Sequence, residues 1–149
     1  GSVTVTDDIT GAPRPGSGAA TVAKALGPFE RSNSGTKDTG TVRTGSNALK
    51  IAGPGYHDFD LPVGASSTTV TVYVRWDATY AGTKPSMSVR NGGECGVADA
   101  TATAAGSSGS WEQLSLNFTP TSVGIVTIRL TSSDTNGGGA AFWDDFAVT

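Results

Sequence analysis

The sequence holds one cysteine, one histidine and one methionine in 149 residues, and each scarcity removes a class of chemistry. With Cys95 alone, an intrachain disulfide, a multi-cysteine zinc site and a Cys-x-x-Cys redox pair are all excluded. A single thiol set in Gly-Gly-Glu-Cys-Gly reads as a small half-buried residue rather than a nucleophile. His57 leaves little acid-base capacity and reads as a satisfied structural residue. Charged side chains make up only 15% of the chain, the formal net charge is −3, and no lysine or arginine run forms a basic stripe. Nucleic acid is therefore not an expected partner. No apolar run approaches the roughly 20 residues needed to cross a bilayer, so membrane insertion is not expected either.

Catalytic signatures are missing as well. There is no Gly-x-Ser-x-Gly elbow, no His-Glu-x-x-His helix and no phosphate-cradling glycine loop. A glycoside hydrolase needs two carboxylates about 5 to 10 Å apart across a cleft. Asp58 with Asp60, or Asp144 with Asp145, do not mark such a pair by pattern alone. The sequence points to a domain that binds rather than one that turns a substrate over.

What the chain does have is 21 glycines, many threonines and serines, and short apolar runs in strict alternation. β-Branched residues suit a pleated surface and glycine supplies turn conformations, so the composition predicts an all-β domain. In the segment 70–76 the residues Val70, Val72, Val74 and Trp76 point one way and Thr71, Tyr73 and Arg75 the other. The same split separates Met87 and Val89 from Ser88 and Arg90, and Val126, Ile128 and Leu130 from Thr127 and Arg129. Leu114, Leu116 and Phe118 likewise oppose Gln113, Ser115 and Asn117. Half-buried alternation of this kind belongs to antiparallel sheets, because strands covered on both faces read as continuous apolar runs.

Strands are expected at about 41–43, 48–52, 57–61, 69–76, 86–91, 111–118, 124–132 and 140–148. Eight strands match an antiparallel β-sandwich of the jelly-roll kind. The expected domain runs over 29–149. Residues 1–28, with a Val-Thr alternation and then the Gly/Pro-rich stretch 11–18, read as an arm or linker that could add a strand, and one or two helical turns are conceivable over 19–26. Gly1-Ser2 reads as a cloning remnant that replaces whatever came before. The tract 132–139 reads as a hairpin loop, since it lacks the closing glutamate of an EF-hand.

The order of segments then becomes informative. Phe29-Glu30, Thr44-Gly-Ser-Asn-Ala-Leu-Lys-Ile51, Leu61-Pro-Val-Gly64 before Val72-Tyr-Val-Arg75, Trp111-Glu-Gln-Leu-Ser-Leu-Asn-Phe-Thr-Pro120 and Phe142-Trp-Asp-Asp-Phe-Ala-Val148 resemble the carbohydrate-binding modules of the family 4, 9, 16 and 22 type. The resemblance implies a jelly-roll fold and a non-catalytic polysaccharide-binding module of a larger secreted or surface protein. The alternative is a structural or adhesive sandwich of a cell-surface, appendage or phage virion protein that binds no sugar. The resemblance also implies a structural calcium, held by Glu30, Asp144 and Asp145 together with backbone carbonyls, a donor set suited to a hard cation. Alternation places Asp144 on the side of Phe142 and Phe146 and Asp145 on the side of Trp143, and a bulge would reverse either assignment. In the plainer reading Asp144 caps a turn or pairs with an arginine.

Sugar recognition pairs an aromatic ring with planar polar groups. Tyr73, Arg75, Arg90 and Arg129 each lie opposite the core set of their own strand, and they form one polar groove if those strands share a sheet. Three guanidiniums on one face would favour a carboxylated or sulfated sugar. A solvated outer face is the equally weighted alternative. Tyr56 and Asp58 are candidate groove-rim groups. Trp76 and Tyr80, at a strand exit, are candidate stacking platforms, although Trp76 shares the core parity. Trp111 and Trp143 match framework positions, and their indole N–H groups need partners if buried.

Overall fold

A computed structural model describes residues 30–149 other than 92, 94 and 95. Every regular element among them is a strand: β1 (Glu30–Ser32), β2 (Gly35–Asp38), β3 (Ala48–Ala52), β4 (Pro54–Val63), β5 (Thr68–Trp76), β6 (Gly82–Arg90), β7 (Ala100–Thr103), β8 (Glu112–Phe118), β9 (Gly124–Asp134) and β10 (Ala140–Val148). They make two five-stranded antiparallel sheets, ordered β1-β4-β9-β6-β7 and β2-β3-β10-β5-β8. The chain changes sheet at every connection except β2 to β3 and β6 to β7, which is how a jelly roll builds both layers at once. The all-β sandwich expected from the sequence is the architecture found.

Period-two burial sets which side of each strand meets the other sheet. Val70, Val72 and Val74 are fully buried and Trp76 is nearly so, while Thr71, Tyr73 and Arg75 keep partial access to solvent. Met87, Val89, Ile128 and Leu130 close the same core from the facing sheet. Each such aliphatic side chain contributes about 1.5–3 kcal/mol relative to an exposed one. Sealing the layer on both sides leaves two outer faces where polar residues are free to specialise.

Several elements differ from expectation. Residues 41–43 lie in the loop between β2 and β3 rather than in a strand. β1, β2 and β7 were not foreseen, because Glu-Arg-Ser, Gly-Thr-Lys-Asp and Ala-Thr-Ala-Thr carry no large apolar stripe. They are edge strands held by backbone ladders to β4, β3 and β6. The 132–139 tract is not a hairpin loop: β9 and β10 belong to different sheets, so it arches from one layer to the other. The proposed arm of residues 1–28, Phe29 and Cys95 lie outside the described residues.

The closing strand carries the main irregularity. Asp144 is across from Tyr73 and Ala147 across from Thr71, so three steps on β10 match two on β5. The extra residue is a β-bulge, with Asp145 at φ 52, the only non-glycine residue at positive φ among the described residues. The bulge turns Phe146 inward, where its ring stacks on Phe59 at 4.6 Å. Asp144 stays with Phe142 on the outer side, and Phe146, expected to share that side, does not.

Candidate functional site

On the outer face of the β1-β4-β9-β6-β7 sheet, register alone assembles a polar surface. Arg31, Asp58, Arg129, Ser88 and Thr101 stand in one row across five strands. Asp60, Thr127 and Arg90 form the next, and Tyr56, Thr131 and Ser86 flank the other side. Asp58 accepts two hydrogen bonds from the Arg129 guanidinium, both at 2.7 Å. The same guanidinium covers the Tyr56 ring, 4.0 Å from its centroid. Asp60 is held by Arg31, with one contact at 2.8 Å, and accepts from the Thr127 hydroxyl at 2.8 Å. The Arg31 hydrogen bond is the chief reason that the Asp60 carboxyl lies below the usual carboxylate range, with burial opposing it and Thr127 adding to it. Arg90 donates to the backbone carbonyl of Gly96.

Tyr56, Asp58, Arg90 and Arg129 therefore come together, and Asp60, Thr127 and Ser88 join them although the sequence did not single them out. The parity that turns Asp58 to the outer side also turns Asp60 there, and that signal was available. Tyr73 and Arg75 do not join this group. Their strand, β5, lies in the other sheet, so the condition for one groove shared with Arg90 and Arg129 is not met. Arg75 is absent from this face, and Arg31 is the third guanidinium that stands there with Arg90 and Arg129.

Trp76 is not a surface platform, and Tyr80 is half-buried with its hydroxyl engaged. Trp76 is 5% exposed and belongs to the core. The Tyr80 hydroxyl accepts from the Ser133 N–H at 2.7 Å and donates to the Thr83 carbonyl at 3.0 Å, so it serves the backbone of two strands. Nearby, buried Asp134 accepts from the N–H groups of Ala81, Asn136 and Gly139. These bonds, that of Ala81 foremost, lower its carboxyl below the ordinary range against the opposing effect of burial. Trp143 is fully buried, and its indole N–H has no hydrogen-bond partner among the described residues.

The second outer face is organised by the bulge. Asp144, 2% exposed, accepts from the backbone N–H groups of Arg43 at 2.8 Å, Thr44 at 3.1 Å and Asp145 at 2.8 Å. Asp145 takes the Arg43 guanidinium and the Thr44 hydroxyl. Arg43 in turn lies 3.5 Å over the Tyr73 ring. Together with Thr71 and Gln113 these groups border a cleft of about 660 Å³. Beside it, Arg75 stands across from Phe142, whose ring also has the Lys50 ammonium at 5.6 Å.

For the expected calcium, Asp144 and Asp145 do not fit. Their oxygens face N–H and O–H donors and a guanidinium, whereas a cation needs lone pairs turned toward it. Asp144 caps backbone N–H groups, as its plainer reading has it, while the arginine pairs with Asp145 instead. No three His, Cys, Asp or Glu side chains converge among the described residues, and the Glu30 side chain lies outside that set. Nor is there, among them, a helix long and apolar enough to cross a membrane.

No protein-family model matches the sequence. No curated protein matches it at a significant level. Solved structures do. The CBM22-1 xylan-binding domain of Paenibacillus barcinonensis Xyn10C superposes with a TM-score of 0.66 at 13% identity, over 99% of this chain and 94% of that one. TmCBM61, solved in complex with β-1,4-galactotriose, gives 0.60 at 13% identity over 83% and 89% of the two chains. The enzymatically active domain of tailspike protein 4 from bacteriophage CBA120 gives 0.53 at 12% identity, over 80% of this chain and 18% of that one. The chain has the β-sandwich fold of carbohydrate-binding modules.

Proposed function

We propose that this domain is a non-catalytic polysaccharide-binding module that binds through the outer face of the β1-β4-β9-β6-β7 sheet. The observation that carries the reading is the Tyr56, Arg129 and Asp58 assembly: an aromatic ring beside a planar guanidinium that buried Asp58 locks in place before any ligand arrives. Preorganised donors lose little entropy on binding, which is what a shallow sugar site requires. Binding domains of the same fold, solved as xylan and β-1,4-galactotriose binders, support a glycan as the ligand class. Arg129 and Arg31 are neutralised by Asp58 and Asp60, whereas among the described residues Arg90 meets only the Gly96 carbonyl and leaves one uncompensated guanidinium on this face.

Turnover is not expected, because Asp58 and Asp60, the two carboxylates of this face among the described residues, are committed to arginines. Attached to a larger secreted or surface protein, such a module would raise the effective concentration of its partner domains at a polysaccharide. Retention on xylan, galactan or cellulose in affinity electrophoresis is the direct test. A folded domain that migrates freely through all three would remove the proposal.

One feature favours a second reading, a structural or adhesive sandwich without a sugar site. The Arg129 guanidinium already occupies a face of the Tyr56 ring, leaving less of it for stacking. The likeness of this chain to 18% of an enzymatically active phage tailspike domain is in keeping with a sandwich that serves as one part of a larger virion protein. Free migration on every polysaccharide, joined to tight self-association or docking to a sister domain, is what this reading expects.

A further inference from the structure

We propose that the opposite face carries a second, independent site for a neutral polyhydroxylated ligand, in the cleft between Tyr73 and the 39–47 loop. Nothing in the sandwich fold demands a cleft here. It exists because the β-bulge at Asp145 inserts one residue and aims that side chain at Arg43 and Thr44, while Asp144 fastens the loop through three backbone N–H groups. Bulges and left-handed non-glycine residues are concentrated where a surface is shaped for a ligand. Two carboxylates and a tight bulge thus stand behind one loop wall.

The chemistry of the lining selects the ligand class. Tyr73 supplies an aromatic ring at the floor, braced on one side by Arg43. Its cross-strand neighbour Gln113 is exposed and brings a planar amide, and Thr71, two residues along β5, brings a hydroxyl. An aromatic ring next to amide and hydroxyl groups suits a pyranose, with an apolar C–H face and a rim of hydroxyls. The charges argue against ionic ligands. Arg43 is committed to Asp145, and Arg75, the other guanidinium on this face, is not among the groups that border the cleft. The carboxylate oxygens are occupied by donors and do not select a cation. The volume, about 660 Å³, lies in the range of small-molecule sites.

The site is separate from the polysaccharide face, since β5, β8 and β10 form the other sheet. A ¹H–¹⁵N NMR titration of the intact domain distinguishes the two. The ligands are xylohexaose, cellotriose and β-1,4-galactotriose, with trigalacturonate as the anionic comparator. The expected result is a saturable set of shifts at the amides of Thr71, Gln113 and Ala147 with at least one neutral sugar. Trigalacturonate should bind there at least about tenfold more weakly. Tyr73→Ala, and separately Gln113→Ala at an exposed position, should each weaken that set about tenfold while shifts at Thr131 and Ser86 persist. Shifts confined to Thr131, Ser86 and Arg129 would overturn the cleft and leave the polysaccharide face standing. Shifts confined to the cleft would do the reverse. Silence at the cleft amides with every neutral sugar, equal binding of trigalacturonate, or cleft shifts that survive both substitutions would each overturn it.

Discussion

Asp58 is fully shielded from solvent on the outward side of its strand, and Arg129 on the neighbouring strand meets both of its oxygens at 2.7 Å. A carboxylate in that position is tolerable only while the guanidinium stays. Arg129→Ala is expected to destabilise the domain by about 3–5 kcal/mol, because it strands a buried charge. Asp58→Asn should cost less, since the amide still accepts a hydrogen bond and Arg129 keeps partial access to water. Urea unfolding of the two single variants and the double variant checks this, with a coupling free energy above about 1 kcal/mol expected.

Acid should destabilise the domain through Asp60 and Asp134. Both have folded-state carboxyls held below the usual carboxylate range, Asp60 chiefly by its hydrogen bond from Arg31 and Asp134 chiefly by that from the Ala81 N–H. A depressed folded value means that the unfolded chain binds protons first. Their stabilisation is therefore complete above the unfolded value and is lost as pH falls below about 4 through the folded values. Urea midpoints measured from pH 6 down to pH 2 should decline over that window. Asp60→Asn and Asp134→Asn should lower the midpoint at pH 6 and flatten the decline.

Asp144 should behave as a loop clamp. Asp144→Ala frees three backbone N–H groups and is expected to lower stability by about 1–3 kcal/mol, equally with calcium and with chelator present. Differential scanning calorimetry in both conditions is the measurement. A melting temperature that rises with calcium in the parent and not in the variant would restore the metal reading, because a ligand bound only to the folded state must stabilise it.

Gly139 is needed for close approach. A Cβ there would sit 2.5 Å from the Tyr80 Cα and 2.8 Å from its N, both backbone atoms that cannot swing aside. Gly139→Ala is expected to destabilise by about 1–3 kcal/mol through forced backbone shifts. Gly138→Ala, one residue earlier, meets nothing within 4 Å and should be near neutral in the same thermal melt.

Tyr56→Ala should weaken polysaccharide retention by about tenfold while shifting the melting temperature little, since the ring lies outside the core. Affinity electrophoresis beside a thermal melt separates the two effects. Unchanged retention would move the binding surface elsewhere on the domain.

Local alternation carried most of what could be read from the chain. Val70, Val72 and Val74 against Thr71, Tyr73 and Arg75 defined an inner and an outer side before any strand was placed. Edge strands such as β2 and β7 were invisible, because they are recruited by backbone hydrogen bonds to a neighbour and need no apolar stripe of their own. Asp144 and Asp145 were marked as important, but whether they meet a cation or a loop depended on one inserted residue.

The sequence by itself determined the fold class and, on the strands whose alternation is unbroken, which side chains face the core and which face outward, since burial period is a property of the strand alone. Only the tertiary structure decided which outward faces coincide. Tyr73 and Arg129 have the same parity, yet the crossing of the chain between layers puts them on opposite surfaces. Arg43 reaches Tyr73 only because Asp145 is turned out of register. Sheet membership and bulges are settled by pairing between residues distant in the chain, and that information is not contained in any one strand's alternation.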